Sequence, residues 1–295
     1  MPTARGSIFI NPSSGARFGA AERSQLVSAS RQAGLEVIDF GRKVDVGALV
    51  RERIPRGQTL FIAAGGDGTI HTLVQPIINT EAVLGVVPIG TYNHFARDLG
   101  IPLDWRAALD VALSGAERQI DAGRVNDRFF VNNIAIGLYP EMVVHRERHG
   151  RNDPRWRARL DAAVATLWKY PHVALTVEAD YLQEILRTHV FMVSNNSYDL
   201  SGIGIEASRA TLEEGRLGVY WLPHIPRIAL MRFLASYLAG RVTQAPGFRS
   251  FRTARVKVQS PRRHLHLGID GEVFTMAPPL VITSVPSALL VRSPR

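Results

Sequence analysis

The chain has 295 residues, 46% of them apolar and 21% charged, with no cysteine and a formal charge of +9. That length fits one large domain or two ordinary ones, and the composition is globular rather than disordered or fibrous. The missing thiols exclude disulfide frameworks, thiolate zinc sites, iron–sulfur clusters and cysteine nucleophiles, while the positive charge favours an anionic partner: nucleic acid, an acidic membrane face or a phosphorylated small molecule.

The elements alternate along the first 120 residues. Ser7–Ile10 reads as a short apolar strand, too short for the apolar core of a signal peptide, which needs roughly 7–15 residues. Ala20–Ala33 is a helix stopped by Gly34, Leu35–Phe40 a strand, and Val46–Arg53 a short helix before Pro55. Thr59–Ala64 is a continuous apolar run, as expected of a strand covered on both faces. Thr69–Asn79 is a helix bent or shortened by Pro76, Ala82–Pro88 a second buried strand, and Trp105–Leu113 a helix capped by Asp104. Strands spaced by helices predict a parallel sheet with helices on both faces.

After Gly115 the pattern changes. Val125–Phe129 reads as a hairpin turn between apolar arms. Short runs follow at Phe130–Ile136, Val173–Val177, His189–Val193, Leu217–Trp221, Ala254–Val258, Leu265–Ile269 and Leu280–Thr283, which suggests an antiparallel β domain. Helical inserts are predicted at Pro154–Trp168 and Pro226–Leu238. The fold class expected is α/β: a three-layer parallel-sheet domain over residues 1–123, then an antiparallel β-sandwich domain over 124–295. No window of about 18 residues is free of charge, so no spanning helix is expected.

Three loops carry the chemistry. Ala63-Ala64-Gly65-Gly66-Asp67-Gly68-Thr69 takes a buried strand through three glycines into a helix. Glycines allow close backbone approach, and a helix start offers free N–H groups, so the segment suits phosphate. Asp67 would repel a triphosphate there unless it holds a proton, a metal ion or an attacking hydroxyl. Asn11-Pro12-Ser13-Ser14-Gly15 and Pro88-Ile89-Gly90-Thr91-Tyr92-Asn93 also follow predicted parallel strands. All three therefore fall at carboxyl ends of strands, where open α/β sheets bind ligands. Neither G-x-x-x-x-G-K-[ST] nor G-x-G-x-x-G occurs.

With NPSSG at 11–15, GGDGT at 65–69, PIGTYNHFAR at 88–97 and Asp270-Gly271-Glu272 downstream, the chain resembles the diacylglycerol kinase/sphingosine kinase family of lipid kinases, in a bacterial subgroup. GGDGT alone is shared with NAD kinases and some phosphofructokinases; the four motifs in this order are far more specific. The resemblance implies ATP bound between an α/β domain and a β-sandwich. It implies nucleotide contacts from Asn11, Pro12, Ser13, Ser14, Gly15, Gly65, Gly66, Asp67, Gly68, Thr69, Ile70, His71, Gly90, Thr91 and Asn93. It makes Asp67 and Glu272, with help from Asp270, the groups that activate a lipid hydroxyl. It also implies Mg2+, with metal positions at Thr211, Glu214, Arg216 and Asp121. His94 stands where the family usually has Asp, His71-Thr72 where it has N-E, and Glu214 where it has a loop Asp. A carboxylate bridge to magnesium through Asp67, position 94 and Asp121 thus loses one negative charge.

A kinase acting on a lipid must dock on a bilayer, so the enzyme is expected in the cytoplasm, peripherally on the anionic inner face of the cell membrane. His145–Arg159, with Trp156 among its arginines, and Pro226–Gly240, with an apolar face, suit that task. Helices packed on their own domain account equally for the second. His145/His149 and His264/His266 lack a third ligand at metal spacing, G-x-S-x-G is absent, and no nucleic-acid-binding signature accompanies the charge, so no nucleic acid partner is expected. The expected function is an ATP-dependent lipid kinase acting on diacylglycerol, ceramide or a sphingoid base. The alternatives are a kinase of a soluble substrate such as NAD, and a non-catalytic lipid- or nucleotide-binding module.

Overall fold

A computed structural model describes residues 6–12, 14, 18–39, 41, 44–137, 172–180, 182–198, 209, 211–223 and 249–295. The predicted helical inserts Pro154–Trp168 and Pro226–Leu238 lie outside them, as do both proposed membrane-docking segments. The chain divides into two compact units: residues 1–122, 128–131 and 285–295 form the first, and 123–127 with 132–284 the second.

The first unit is built on parallel strands β1 (Gly6–Ile10), β2 (Leu35–Asp39), β3 (Leu60–Gly65) and β4 (Val83–Pro88), in the order β2-β1-β3-β4. β1, β3 and β4 are buried on nearly every residue, which explains their unbroken apolar runs. The helices are α1 (Ala20–Gln32), α2 (Val46–Arg53), α3 (Asp67–Ile77), α4 (His94–Asp98) and α5 (Trp105–Ser114). α1 touches α5, and α2 packs on α3. Right-handed crossovers that run one way from β1 to β2 and the other way from β2 to β4 put these pairs on opposite faces of the sheet. Asp104 caps α5 as expected, accepting the amides of Arg106 and Ala107.

The second unit is antiparallel. It contains β7 (Asn133–Gly137), β8 (Val173–Ala179), β9 (Leu182–Asn195), β10 (Leu217–Pro223), β11 (Arg249–Thr253), β12 (Arg255–Gln259), β13 (Leu265–Ile269) and β14 (Glu272–Met276). β9 is longer than the predicted His189–Val193 and pairs with β8 in its first half and with β7 in its second. The change of partner falls at Thr188, whose hydroxyl bonds the Val190 and Leu222 carbonyls. Phe191, Val193, Val219, Leu267 and Ile269 form the core of this unit.

Several elements depart from expectation. The run Phe130–Ile136 is two strands, β6 (Arg128–Phe130) and β7, interrupted at Val131-Asn132. β5 (Ala116–Val125) was not anticipated, because Glu117, Arg118 and Asp121 break its apolar pattern. The last strand, β15, does not end at Thr283 but runs over Leu280–Ser293. Its first residues pair antiparallel with β12, and Leu290 and Val291 pair parallel with β4. No described helix is long and apolar enough to cross a membrane.

At the edge of the parallel sheet Arg53 of α2 grips Glu36 of β2 with Nε at 3.0 Å and Nη2 at 2.6 Å, and Ser7 Oγ adds a bond at 3.3 Å. The hydrogen bonds from Arg53 hold the Glu36 carboxyl below its ordinary value against the opposing effect of burial. A carboxylate with a depressed folded-state pKa stabilises above its unfolded value of about 4.3, and that contribution is lost as pH falls through the folded value. The pair is partly exposed, so Glu36→Gln is expected to cost at most about 1 kcal/mol at pH 7. Thermal unfolding of both proteins should show the difference closing as pH drops below 4; a difference that persists in acid contradicts the assignment.

Candidate functional site

The three glycine-bearing loops all belong to the first unit, and the structure ties them to one another. Asn11, just past β1, donates its amide to the Ala64 carbonyl at 3.1 Å and its side-chain Nδ2 to Thr69 Oγ1 at 3.1 Å. Ser14 Oγ lies 3.4 Å from the same hydroxyl. Thr69 therefore joins the first loop to the second. Pro12 is an exposed turn residue, and Ser13 and Gly15 lie outside the described residues.

The second and third loops meet through their backbones. Ile89 donates to the Gly65 carbonyl at 3.2 Å. A Cβ on Gly90 would come within 2.3 Å of Gly66 Cα and 2.7 Å of Asn93 Oδ1, a separation side chains do not reach, so only glycine fits there. Asn93, at φ 52°, closes a ring around that residue: its Oδ1 accepts the Gly90 amide at 3.1 Å and its Nδ2 donates to the Gly90 carbonyl at 3.0 Å. Buried Asn93 thus shapes the loop from within, whereas Thr91 is exposed.

Asp67 opens α3, two residues earlier than the sequence suggested, and Gly66 provides no side-chain cap. The carboxylate of Asp67 instead reaches the start of α4, where Oδ2 accepts the His94 amide at 3.3 Å and Oδ1 the Phe95 amide at 3.2 Å. It is therefore anchored by the third loop while standing at the mouth of the second. Thr72 returns its hydroxyl to the Gly68 carbonyl at 2.9 Å, and the Ile70 and His71 side chains are buried in the unit's core rather than at the loop surface. An unanticipated feature is the ring of Tyr92, which is 57% exposed and stacks on His94 with centroids 5.7 Å apart and planes 7° from parallel.

The remaining acidic residues are structurally engaged. Asp121, nearly fully buried, accepts the Ser287 amide at 2.9 Å and so holds β5 against β15. In the second unit Asp270 and Gly271 (φ 48° and 90°) form the β13–β14 turn that presents exposed Glu272. Buried Asp270 accepts the amides of Asn132 at 2.8 Å and Asn133 at 3.1 Å, which clamps that turn to β7.

The loop Thr211–Arg216 offers little to a divalent ion. Glu214 Oε2 accepts the Ser197 amide at 3.2 Å, Oε1 faces Arg252 at 3.3 Å, and the Arg216 carbonyl receives the Asn196 amide at 3.0 Å. Thr211 Oγ1 accepts the Glu213 amide. Among the described residues no three His, Cys, Asp or Glu side chains gather as a metal set. Magnesium takes about six oxygens in octahedral array, and of this loop's two carboxylates Glu214, the one implied as a ligand, already faces a guanidinium.

Comparison with known proteins places this geometry. The diacylglycerol kinase catalytic domain model matches residues 5–125, and the YegS C-terminal NAD kinase beta sandwich-like domain model matches residues 145–293. The chain belongs to the diacylglycerol kinase family. Membership makes it a kinase. A diacylglycerol kinase of Mycobacterium tuberculosis (strain CDC 1551 / Oshkosh) is 25% identical over 300 residues, covering 98% of this chain and 95% of that protein. A diacylglycerol kinase of Bacillus subtilis (strain 168) is 37% identical over 144 residues, a match that spans 47% of this chain and 48% of that protein. The crystal structure of a Bacillus anthracis str. Sterne diacylglycerol kinase shares the fold at a TM-score of 0.72, with 16% identity over 98% of this chain and 97% of that one.

Gly90→Ala forces the third loop off the second. It is expected to destabilise the protein by about 1–3 kcal/mol, as overpacking does. Urea unfolding measures this; a change under about 0.5 kcal/mol, typical of a neutral surface position, contradicts the close approach.

Proposed function

We propose that this kinase transfers the γ-phosphate of ATP to the hydroxyl of a membrane lipid such as diacylglycerol, ceramide or a sphingoid base. The observation that carries the reading is the knot of three phosphate-type loops around Asp67, in a chain whose residues 5–125 match the diacylglycerol kinase catalytic domain model. Gly65–Thr69 and the start of α3 bind the phosphates through backbone amides and the helix dipole. Phosphoryl transfer rests mainly on such positioning and charge stabilisation. Asp67 would be a protein ligand for a divalent ion carried in with ATP, and that ion would supply neutralisation of phosphate charge.

In this proposal Glu272 accepts the proton of the lipid hydroxyl as its oxygen bonds to the γ-phosphorus. The bond to the β–γ bridging oxygen breaks, and ADP leaves. Asp270 holds the turn that carries Glu272. The formal charge of +9 supports docking on an anionic inner membrane face from the cytoplasm. A second reading, a soluble acceptor such as NAD, is favoured by the NAD kinase-like description of the second domain model.

Incubating the protein with γ-labelled ATP, Mg2+, lipid vesicles and NAD separates the two. Label is expected in an extractable lipid; label confined to the aqueous phase overturns the lipid assignment, and no transfer overturns both. Glu272→Gln should lower turnover by roughly 10²–10⁴-fold, the scale of general-base help. Near-normal turnover would remove Glu272 from the mechanism. Asp67→Ala should abolish turnover, with a stability loss of about 1 kcal/mol because the start of α4 loses its cap.

A further inference from the structure

The loop Thr211–Arg216 packs against the end of β9, and its contacts share one feature. The Glu214 carboxylate and the Arg216 carbonyl already face donors from the protein. Glu214 Oε2 and the Arg216 carbonyl take the amides of Ser197 and Asn196, and Asn196 Oδ1 takes the Glu214 amide at 3.0 Å. Gly215, at φ 65°, makes the turn that allows this closure.

The remaining carboxylate oxygen, Glu214 Oε1, meets Arg252 Nη1 at 3.3 Å. Arg252 arrives from β11, which pairs with the strand leaving the loop so that Arg252 lies across from Gly218. The side chain of Glu214 is 21% exposed and that of Arg252 is 63% exposed, so the guanidinium closes the loop from the solvent side. Two more observations set the polarity of the spot. Asn196 is fully buried and its Nδ2 has no hydrogen-bond partner, and Ser197 Oγ is likewise buried without one. Both residues adjoin Glu214, Asn196 through the Oδ1 that takes its amide and Ser197 through the amide that its Oε2 accepts.

We infer that Arg252 is the cation of this loop: its guanidinium does, from within the chain, what a bound divalent ion would do, and the loop holds its shape without metal. On this reading the loop of Thr211, Glu214 and Arg216, where the resemblance implied a metal, is closed by the chain's own guanidinium. The inference does not depend on the acceptor of the kinase reaction, and its test reads stability rather than activity.

The test uses the full chain without nucleotide. Thermal unfolding is followed after EDTA treatment and after adding back excess Mg2+ or Ca2+. The wild-type Tm is expected to be the same in all conditions. Glu214→Gln and Arg252→Met are expected to lower it by roughly 1–3 °C each, as suits a partly exposed ion pair. The double variant should fall no further than the larger single effect, because the two residues act as one interaction. A wild-type Tm that drops in EDTA and recovers with Mg2+ or Ca2+ overturns the inference. So does a double variant whose loss equals the sum of the singles, or an Arg252→Met protein with unchanged Tm.

Discussion

Gly66 and Gly90 touch backbone to backbone, with no room for even one carbon between them. The phosphate-type loops take their arrangement from that contact. With the third loop pressed on the second, the start of α4 comes within reach of Asp67, whose two carboxylate oxygens then receive the His94 and Phe95 amides. Asn93 encircles Gly90 and keeps the approach from relaxing. Asn11 and Ser14 complete the assembly through Thr69. An acidic side chain would ordinarily be a poor neighbour for phosphate. Here it is fixed in place by donors that belong to a different loop, so its position is settled before any ligand arrives, which is the preorganisation that phosphoryl transfer rewards.

The second unit applies the same device to a different end. Asp270 sits in a positive-φ turn and spends its carboxylate on two consecutive amides of the segment entering β7. Glu272, two residues on, is thereby presented from a rigid turn rather than a loose hairpin tip. On the loop before β10, Glu214 is paired with a guanidinium, and buried amide and hydroxyl groups surround it. Among the described residues Asp67, Asp121 and Asp270 organise backbone, Glu36 and Glu214 pair with arginines, and Glu272 is exposed. Family motifs alone do not separate these roles.

Much of the parallel sheet was legible because burial on both faces leaves a plain signature: Leu60–Gly65 and Val83–Pro88 are apolar almost without interruption. The Asp104 cap and the glycine punctuation of the loops were equally local signals. β5 was not legible. It carries Glu117, Arg118 and Asp121, and the bond that makes burial of Asp121 tolerable comes from Ser287, 166 residues away. The extension of β15 was hidden by Pro286 and by Ser287 at φ 49°, where the pattern breaks before the chain pairs with β4. The Glu214–Arg252 pair depends on a register between β10 and β11 that no spacing in the sequence encodes. The residues of the candidate site could be named from motifs; which of them bond to which could not.

The central claim is that the knotted loops of the first unit grip the phosphates of ATP through their backbone amides. Amide hydrogen exchange with and without ATP and Mg2+ tests it most directly. The account predicts that bound ATP slows exchange across Gly65–Ile70 and Gly90–Phe95, with little change over Leu182–Ile185 of β9. Slowed exchange elsewhere with these two segments unaltered would contradict it.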